Sequence, residues 1–163
     1  MPTEVRFPDG TRVRGAGLLE GRSPGDRPDR GLYLDPRWQP EWPATCVRWP
    51  DHGVPASNSE AVTAIEDAFA CARDGERVEV GCYGGIGRTG TVLACMAVLA
   101  GVPGDAAVAW VRAHYHPYAV ETDEQEGWVR WFAEQAPGSA SADRTTPPRP
   151  GSGRGLDPGP QNP

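Results

Sequence analysis

Apolar and polar residues alternate on both sides of Pro8-Asp9-Gly10 in the stretch EVRFPDGTRVRGAGLL. A period of two interrupted by a turn-forming triplet predicts a small hairpin at the edge of a sheet. Residues 20–31 (EGRSPGDRPDRG) are turn formers throughout and read as a surface loop. Gly31-Leu32-Tyr33-Leu34 is then a short strand, and Pro36, Pro40 and Pro43 exclude helix up to Ala44. Thr45-Cys46-Val47-Arg48-Trp49 is β-prone and stops at Pro50.

The period changes after Pro55. Ser57-Asn58-Ser59-Glu60 is a capping-box pattern, and Val62, Ile65, Ala68, Phe69 and Ala72 keep helical spacing up to Gly75. Arg77 to Gly81 predicts a strand, and Thr91 to Ala100 is apolar on all sides, as in a helix buried between neighbours. Two further helices are expected, one capped by Asp105 over AAVAWVRAHY and one opened by Thr122-Asp123-Glu124-Gln125 and carrying Trp128, Trp131 and Phe132. Strand, helix, strand, loop, buried helix predicts an α/β fold with a central, mainly parallel sheet.

Composition adjusts this picture at its ends. With 163 residues and 38% apolar content the chain suits one domain, expected over residues 1–136. From Pro137 onward the sequence is Pro, Gly and Ser with almost no large apolar residue, so residues 137–163 are expected to be a disordered tail. A net charge of −6 argues against nucleic acid as a partner, since an anion must be drawn by a local field. No apolar stretch approaches the roughly 18 residues of a membrane span, and the N-terminus lacks the apolar core of a secretory signal, so a cytoplasmic location away from membrane is expected. Cys46, Cys71, Cys82 and Cys95 show no paired spacing and are expected to be reduced thiols. His114 and His116 lie two apart at a helix end, which is no metal pattern.

The chemistry concentrates in Cys82-Tyr83-Gly84-Gly85-Ile86-Gly87-Arg88-Thr89-Gly90, at the joint of the predicted strand and the buried helix. Gly84, Gly85 and Gly87 let the amides of residues 83 to 88 turn inward around an anion, and the following helix points its positive end at the same place. Arg88 offers two parallel donors to two phosphate oxygens, a geometry that lysine cannot copy. The same field favours the thiolate of Cys82, the nucleophilic form. The Thr89 hydroxyl is placed to assist that thiolate when it leaves again. Alone, such a loop fits sulfur transfer, arsenate reduction or simple anion binding.

Asp51 narrows the field. It stands in Trp49-Pro50-Asp51-His52-Gly53-Val54-Pro55, a proline-bounded loop of the kind that closes over substrate. A thiolate that displaces an oxygen leaving group from phosphorus needs a proton donor, and Asp51 can supply the proton and later act as base toward water.

Taken together, Cys82 to Gly90 and WPDHGVP resemble the active-site loop and the acid loop of the cysteine-dependent protein tyrosine phosphatases. The likeness covers roughly residues 30 to 135, at the size of a compact, dual-specificity member. It implies a central, mainly parallel sheet flanked by helices on both sides and hydrolysis of phosphate monoesters through a cysteinyl-phosphate, with no metal or cofactor. The expected substrate is a phosphoprotein or phosphopeptide carrying phosphotyrosine, with phosphoserine and phosphothreonine left open. Cys82, Arg88, Asp51 and Thr89 are the expected catalytic residues. Tyr83, Gly84, Gly85, Ile86, Gly87, Gln125 and His52 are expected to bind substrate, with Gln125 positioning water.

Two positions depart from the family pattern. The residue before the nucleophile is usually histidine and here is Gly81, so one hydrogen-bond donor is missing. The first glutamine of the family's glutamine loop is replaced by Glu121. These departures keep open a phospho-binding module without turnover, and a phosphoinositide or nucleotide phosphatase remains a further alternative. Cys46 is also weighed as an oxidative disulfide partner for Cys82, with the free thiol favoured. The oligomeric state is not indicated.

Overall fold

The computed structural model describes residues 1–136; the tail expected over 137–163 lies outside the described residues. The elements are β1 (Thr3–Arg6), β2 (Arg12–Gly17), β3 (Arg30–Tyr33), β4 (Ala44–Cys46), α1 (Asn58–Arg73), β5 (Val78–Cys82), α2 (Gly87–Leu99), α3 (Ala107–His114) and α4 (Asp123–Gln135). They form a five-stranded sheet in the order β1-β2-β5-β3-β4. β2, β5, β3 and β4 run parallel, and β1 alone is antiparallel to its neighbour. This is the expected α/β class.

The hairpin forms where the alternation places it, with Gly10 at φ 89° in the turn and Asp9 accepting from the Thr11 amide. Only β1 is an edge. β2 pairs on its other side with β5, so the hairpin's second strand lies inside the sheet, next to the strand that ends at Cys82.

Val78, Val80 and Leu32 face one side of the sheet with Val5 and Val13, and there they meet Ile65 and Phe69 of α1 and Val92 to Ala97 of α2. α1 and α2 each touch both β2 and β5 and also touch one another, while α3 and α4 stack on α2. The helices therefore gather on one face. In place of the helical cover expected on the other face, the segments after β2 and β3 lie there, Arg22 on Glu79 of β5 and Trp38 and Trp42 on Tyr33 of β3.

Three local expectations are corrected. β4 ends at Cys46 and not at Trp49, because Val47 and Trp49 turn into the core and the Trp49 carbonyl is taken by Arg88. α2 begins at Gly87, four residues before Thr91, with its first turn built from the glycine loop itself and closed by the Gly90 amide on the Ile86 carbonyl. Asp105 caps nothing; α3 starts after Ala106, whose amide bonds to Pro103. Both N-caps form, with Ser57 accepting from the Glu60 amide and Thr122 from the Gln125 amide, but the Gln125 side chain takes the Glu121 amide and not that of Thr122, so the second box is left half made. No helix among the described residues is long and apolar enough to cross a membrane.

Candidate functional site

In open parallel sheets, ligands gather at the carboxyl ends of the strands. Here that edge carries the loops after β2, β3, β4 and β5, and β5, in the middle, delivers Cys82 to its centre. The loop from Cys82 to Gly87 passes directly into α2, which aims its positive end at the turn. Gly85 adopts φ 74°, and its amide donates to Cys82 Sγ at 3.2 Å. Tyr115, at the end of α3, holds the Gly85 carbonyl through its hydroxyl.

Arg88 is 3% exposed and fixed from three directions. Its Nη1 donates to the Leu34 carbonyl at 3.0 Å and to the Trp49 carbonyl at 2.9 Å, and its Nη2 donates to Asp35 Oδ2 at 3.2 Å. Both hydrogens of Nη1 and one of Nη2 are thereby used. The Nε–H, which is buried without a hydrogen-bond partner, and the neighbouring Nη2–H remain as a parallel pair of donors. Asp35 is itself clasped by Arg37 at 2.8 Å through both carboxylate oxygens. Hydrogen bonds from Arg37 first, then from Arg88, hold the Asp35 carboxyl well below the usual carboxylate range.

Asp51 comes to the same place from the loop after β4. Its Oδ1 lies 3.5 Å from Arg88 Nε, and the carboxylate is exposed on its other side. The loop is pinned at Gly53, whose carbonyl accepts from Trp49 Nε1 at 2.7 Å and from Gln125 Nε2 at 3.1 Å. Next to Asp51, His52 occupies the left-handed region at φ 58°, and its Nδ1 faces Glu121 Oε2 at 3.2 Å.

These residues close a pocket of about 190 Å³ lined by Asp51, His52, Cys82, Tyr83, Gly84, Ile86, Gly87, Arg88 and Glu121. Wider clefts of about 720 and 440 Å³ lie elsewhere, one beside the β1–β2 turn and one between β3, β4 and α1, and neither contains Cys82 or Asp51. The structure thus brings together most of the residues expected at the site. Tyr83 stands at the rim with the Arg37 guanidinium over its ring at 3.9 Å.

Thr89 and Gln125 differ from expectation in their surroundings. The Thr89 hydroxyl is buried with no hydrogen-bond partner among the described residues. Gln125 is fully buried, and both ends of its amide are committed, Oε1 to the Glu121 amide at 2.8 Å and Nε2 to Gly53. It ties α4 to the Trp49–Pro55 loop, while Glu121 stands at the pocket, so close to Gly87 that a Cβ there would collide with it.

Sequence reasoning did not single out Asp35, Trp38 or Tyr115. Asp35 offered one signal, its position directly after a strand of a parallel sheet. Cys46 lies one full strand away from β5, aligned with Tyr33 as Tyr33 is with Gly81. Two strand spacings amount to roughly 10 Å, beyond the about 7 Å that a disulfide spans, so the weighed Cys46–Cys82 bridge does not form in this arrangement. His114 stacks on Trp110, and His116 accepts from the Tyr118 amide, as groups of packing and turn.

The family model described as protein-tyrosine phosphatase matches residues 40–116. An uncharacterised protein of Methanocaldococcus jannaschii is 37% identical over 121 residues, which span 68% of this chain and 80% of that one. Among solved structures the chain is similar to the active form of Tk-PTP, with a TM-score of 0.67 and 23% identity over 81% of this chain and 97% of the other. It is also similar to kinase associated phosphatase, with a TM-score of 0.69 and 14% identity over 83% and 94% of the two chains. The chain belongs to the cysteine-dependent protein tyrosine phosphatase superfamily. The glycine loop and the Trp49–Pro55 loop are the parts of this phosphatase that face its pocket.

Proposed function

We propose that this phosphatase hydrolyses phosphotyrosine monoesters of proteins or peptides through a cysteinyl-phosphate. The observation that carries the reading is the convergence, in one pocket, of Cys82, the two unused donors of Arg88 and the Asp51 carboxyl. The Arg88 pair grips two phosphate oxygens, and the amides of the glycine loop take the others. Cys82 Sγ attacks phosphorus; the P–S bond forms as the bond to the tyrosine oxygen breaks, and Asp51 gives that oxygen its proton. Water then attacks phosphorus from the vacated side and loses a proton to Asp51, and the P–S bond breaks. The buried Thr89 hydroxyl is free to donate to the departing thiolate.

Gln125 acts in this scheme through the acid loop, which it holds by Gly53, and not by touching water. His52, Tyr83 and Ile86 form the walls that a substrate side chain meets. Asp51 and Glu121 put two carboxylates at the mouth, and the residues between Cys82 and Arg88 carry no charge. That balance favours a substrate with a single phosphate over a polyphosphorylated lipid or a nucleotide end.

The test is hydrolysis of para-nitrophenyl phosphate and of one peptide in phosphotyrosine and phosphothreonine forms. Native protein is expected to turn over the aryl ester with burst kinetics and the Cys82→Ser variant to be inactive; native turnover by that variant would sink the mechanism. Equal rates on the two peptides would widen the substrate class to phosphothreonine.

A further inference from the structure

The face of the sheet away from the helices holds a polar and aromatic stack that the chemistry above leaves unused. Glu79 of β5 is fully buried. Arg22 donates to it at 2.9 Å, Arg14 pairs with it at 3.1 Å, and the Tyr33 hydroxyl donates to it at 2.9 Å. Trp42 Nε1 in turn donates to the Tyr33 hydroxyl at 2.8 Å. The Tyr33 ring, fixed at its far end, lies over Gly31 and Gly81, and Trp38 stacks on it with ring centres 4.1 Å apart and planes at 13°.

This stack explains the glycine before the nucleophile. A Cβ at Gly81 would lie 2.8 Å from Trp38 and 2.9 Å from Tyr33, so the space for a side chain is already filled. From that space Trp38 Nε1 donates to the Cys82 carbonyl at 3.0 Å. The same carbonyl has a second donor, the Leu18 amide at 3.1 Å, but that N–H is divided with the Tyr83 carbonyl at 2.9 Å. The indole is the undivided donor among the described residues.

We propose that Trp38 is the positioning residue for the nucleophile loop, supplying from β3's following loop the donor that Gly81 cannot carry. The peptide joining Cys82 to Tyr83 is planar and trans, so its C=O and N–H point in opposite directions. Fixing the carbonyl toward Trp38 on the back face aims the Tyr83 N–H forward into the anion ring and sets the direction in which the loop leaves Cys82. Trp38 touches no substrate; it acts through the orientation of one peptide plane. The proposal rests on Cys82 being the nucleophile.

The variant to make is Trp38→Phe in the full chain, which keeps a ring on Tyr33 and removes the N–H. We expect kcat for para-nitrophenyl phosphate to fall roughly tenfold with KM changed by less than about twofold, as for loss of one hydrogen bond felt mainly in the transition state. Alkylation of Cys82 by iodoacetamide, read by mass spectrometry, should slow about threefold while the melting midpoint stays within about 3 °C. Native kcat and alkylation in Trp38→Phe would overturn the proposal, as would losses that follow the melting midpoint alone. If native protein fails to hydrolyse any aryl phosphate while Trp38→Phe still slows alkylation, the assigned reaction fails and the positioning role stands.

Discussion

Arg88 Nη2 donates to Asp35 Oδ2 at 3.2 Å, and the two side chains, from α2 and the loop after β3, are only 3% and 4% exposed. This contact decides which edge of the guanidinium faces the pocket. With Nη1 consumed by the Leu34 and Trp49 carbonyls, the pair left for phosphate is Nε and Nη2. Asp35 is therefore a part of the anion site although it contacts no anion.

Removing that carboxylate should loosen the clamp and weaken the fold together. Breaking a buried ion pair from one side costs about 3–5 kcal/mol. Asp35→Ala is expected near the lower end, since its other partner Arg37 is half exposed and returns to water. Urea unfolding checks the stability, and inhibition by inorganic phosphate, expected to weaken, checks the clamp.

Acid sensitivity follows from the same residue. The Asp35 carboxyl is held below its ordinary value in the folded state, by Arg37 first, so its contribution is complete above the unfolded carboxylate value of about 4 and is lost as pH falls below it. The native melting midpoint should accordingly drop more steeply below about pH 4 than that of Asp35→Asn, which has no charge to lose. Parallel curves for the two proteins would contradict this.

Asp51 is on the exposed side of the pocket, and among the described residues, besides its contact with Arg88, its Oδ1 accepts only from the adjacent His52 amide, at 3.0 Å, with the His52 ring 3.7 Å from Oδ2. Asp51→Ala should lower kcat by roughly 10²–10⁴-fold, the usual worth of a general acid, and leave vanadate binding within a few fold. Equal losses in turnover and oxyanion affinity would remove the acid assignment.

Gly85 admits no side chain. Its φ of 74° disfavours one, and a Cβ would lie 2.6 Å from the Gly17 nitrogen and 2.8 Å from the Ala16 carbonyl carbon, which are backbone of β2. Gly85→Ala should displace the amide that reaches Cys82 Sγ and cut turnover by on the order of 100-fold, as small displacements in an active site do. Single-turnover kinetics would locate the loss in the chemical step.

Glu121 places a carboxylate beside the anion ring, paired with His52 across the mouth. A like charge about 5 Å from a bound phosphate in a water-like medium costs on the order of 1 kcal/mol, so Glu121→Gln should tighten inhibition by inorganic phosphate about fivefold. The gain should shrink in high salt, because the mouth is open to solvent.

What was legible in the sequence is local. Alternation, the two N-caps and the run from Cys82 to Arg88 each lie within a few residues, and backbone sterics, cap hydrogen bonds and glycine freedom act over that range. Nucleophile, guanidinium and the proline-bounded aspartate could thus be named from residue order. The start of α2 was misplaced for a related reason: Gly87 to Gly90 look like loop by propensity and become helix only because Ala119 and the core pack against them.

Tertiary structure alone decided the support of the site. Asp35 and Arg88 are 53 residues apart, and Trp38 and Cys82 are 44 apart; each pair meets because β3 pairs with β5 in the middle of the sheet. Strand order depends on which apolar faces bury together across the whole chain, and no local pattern encodes it. Read locally, Gly81 is a missing donor. In the fold it is the space that lets Trp38 reach the Cys82 carbonyl.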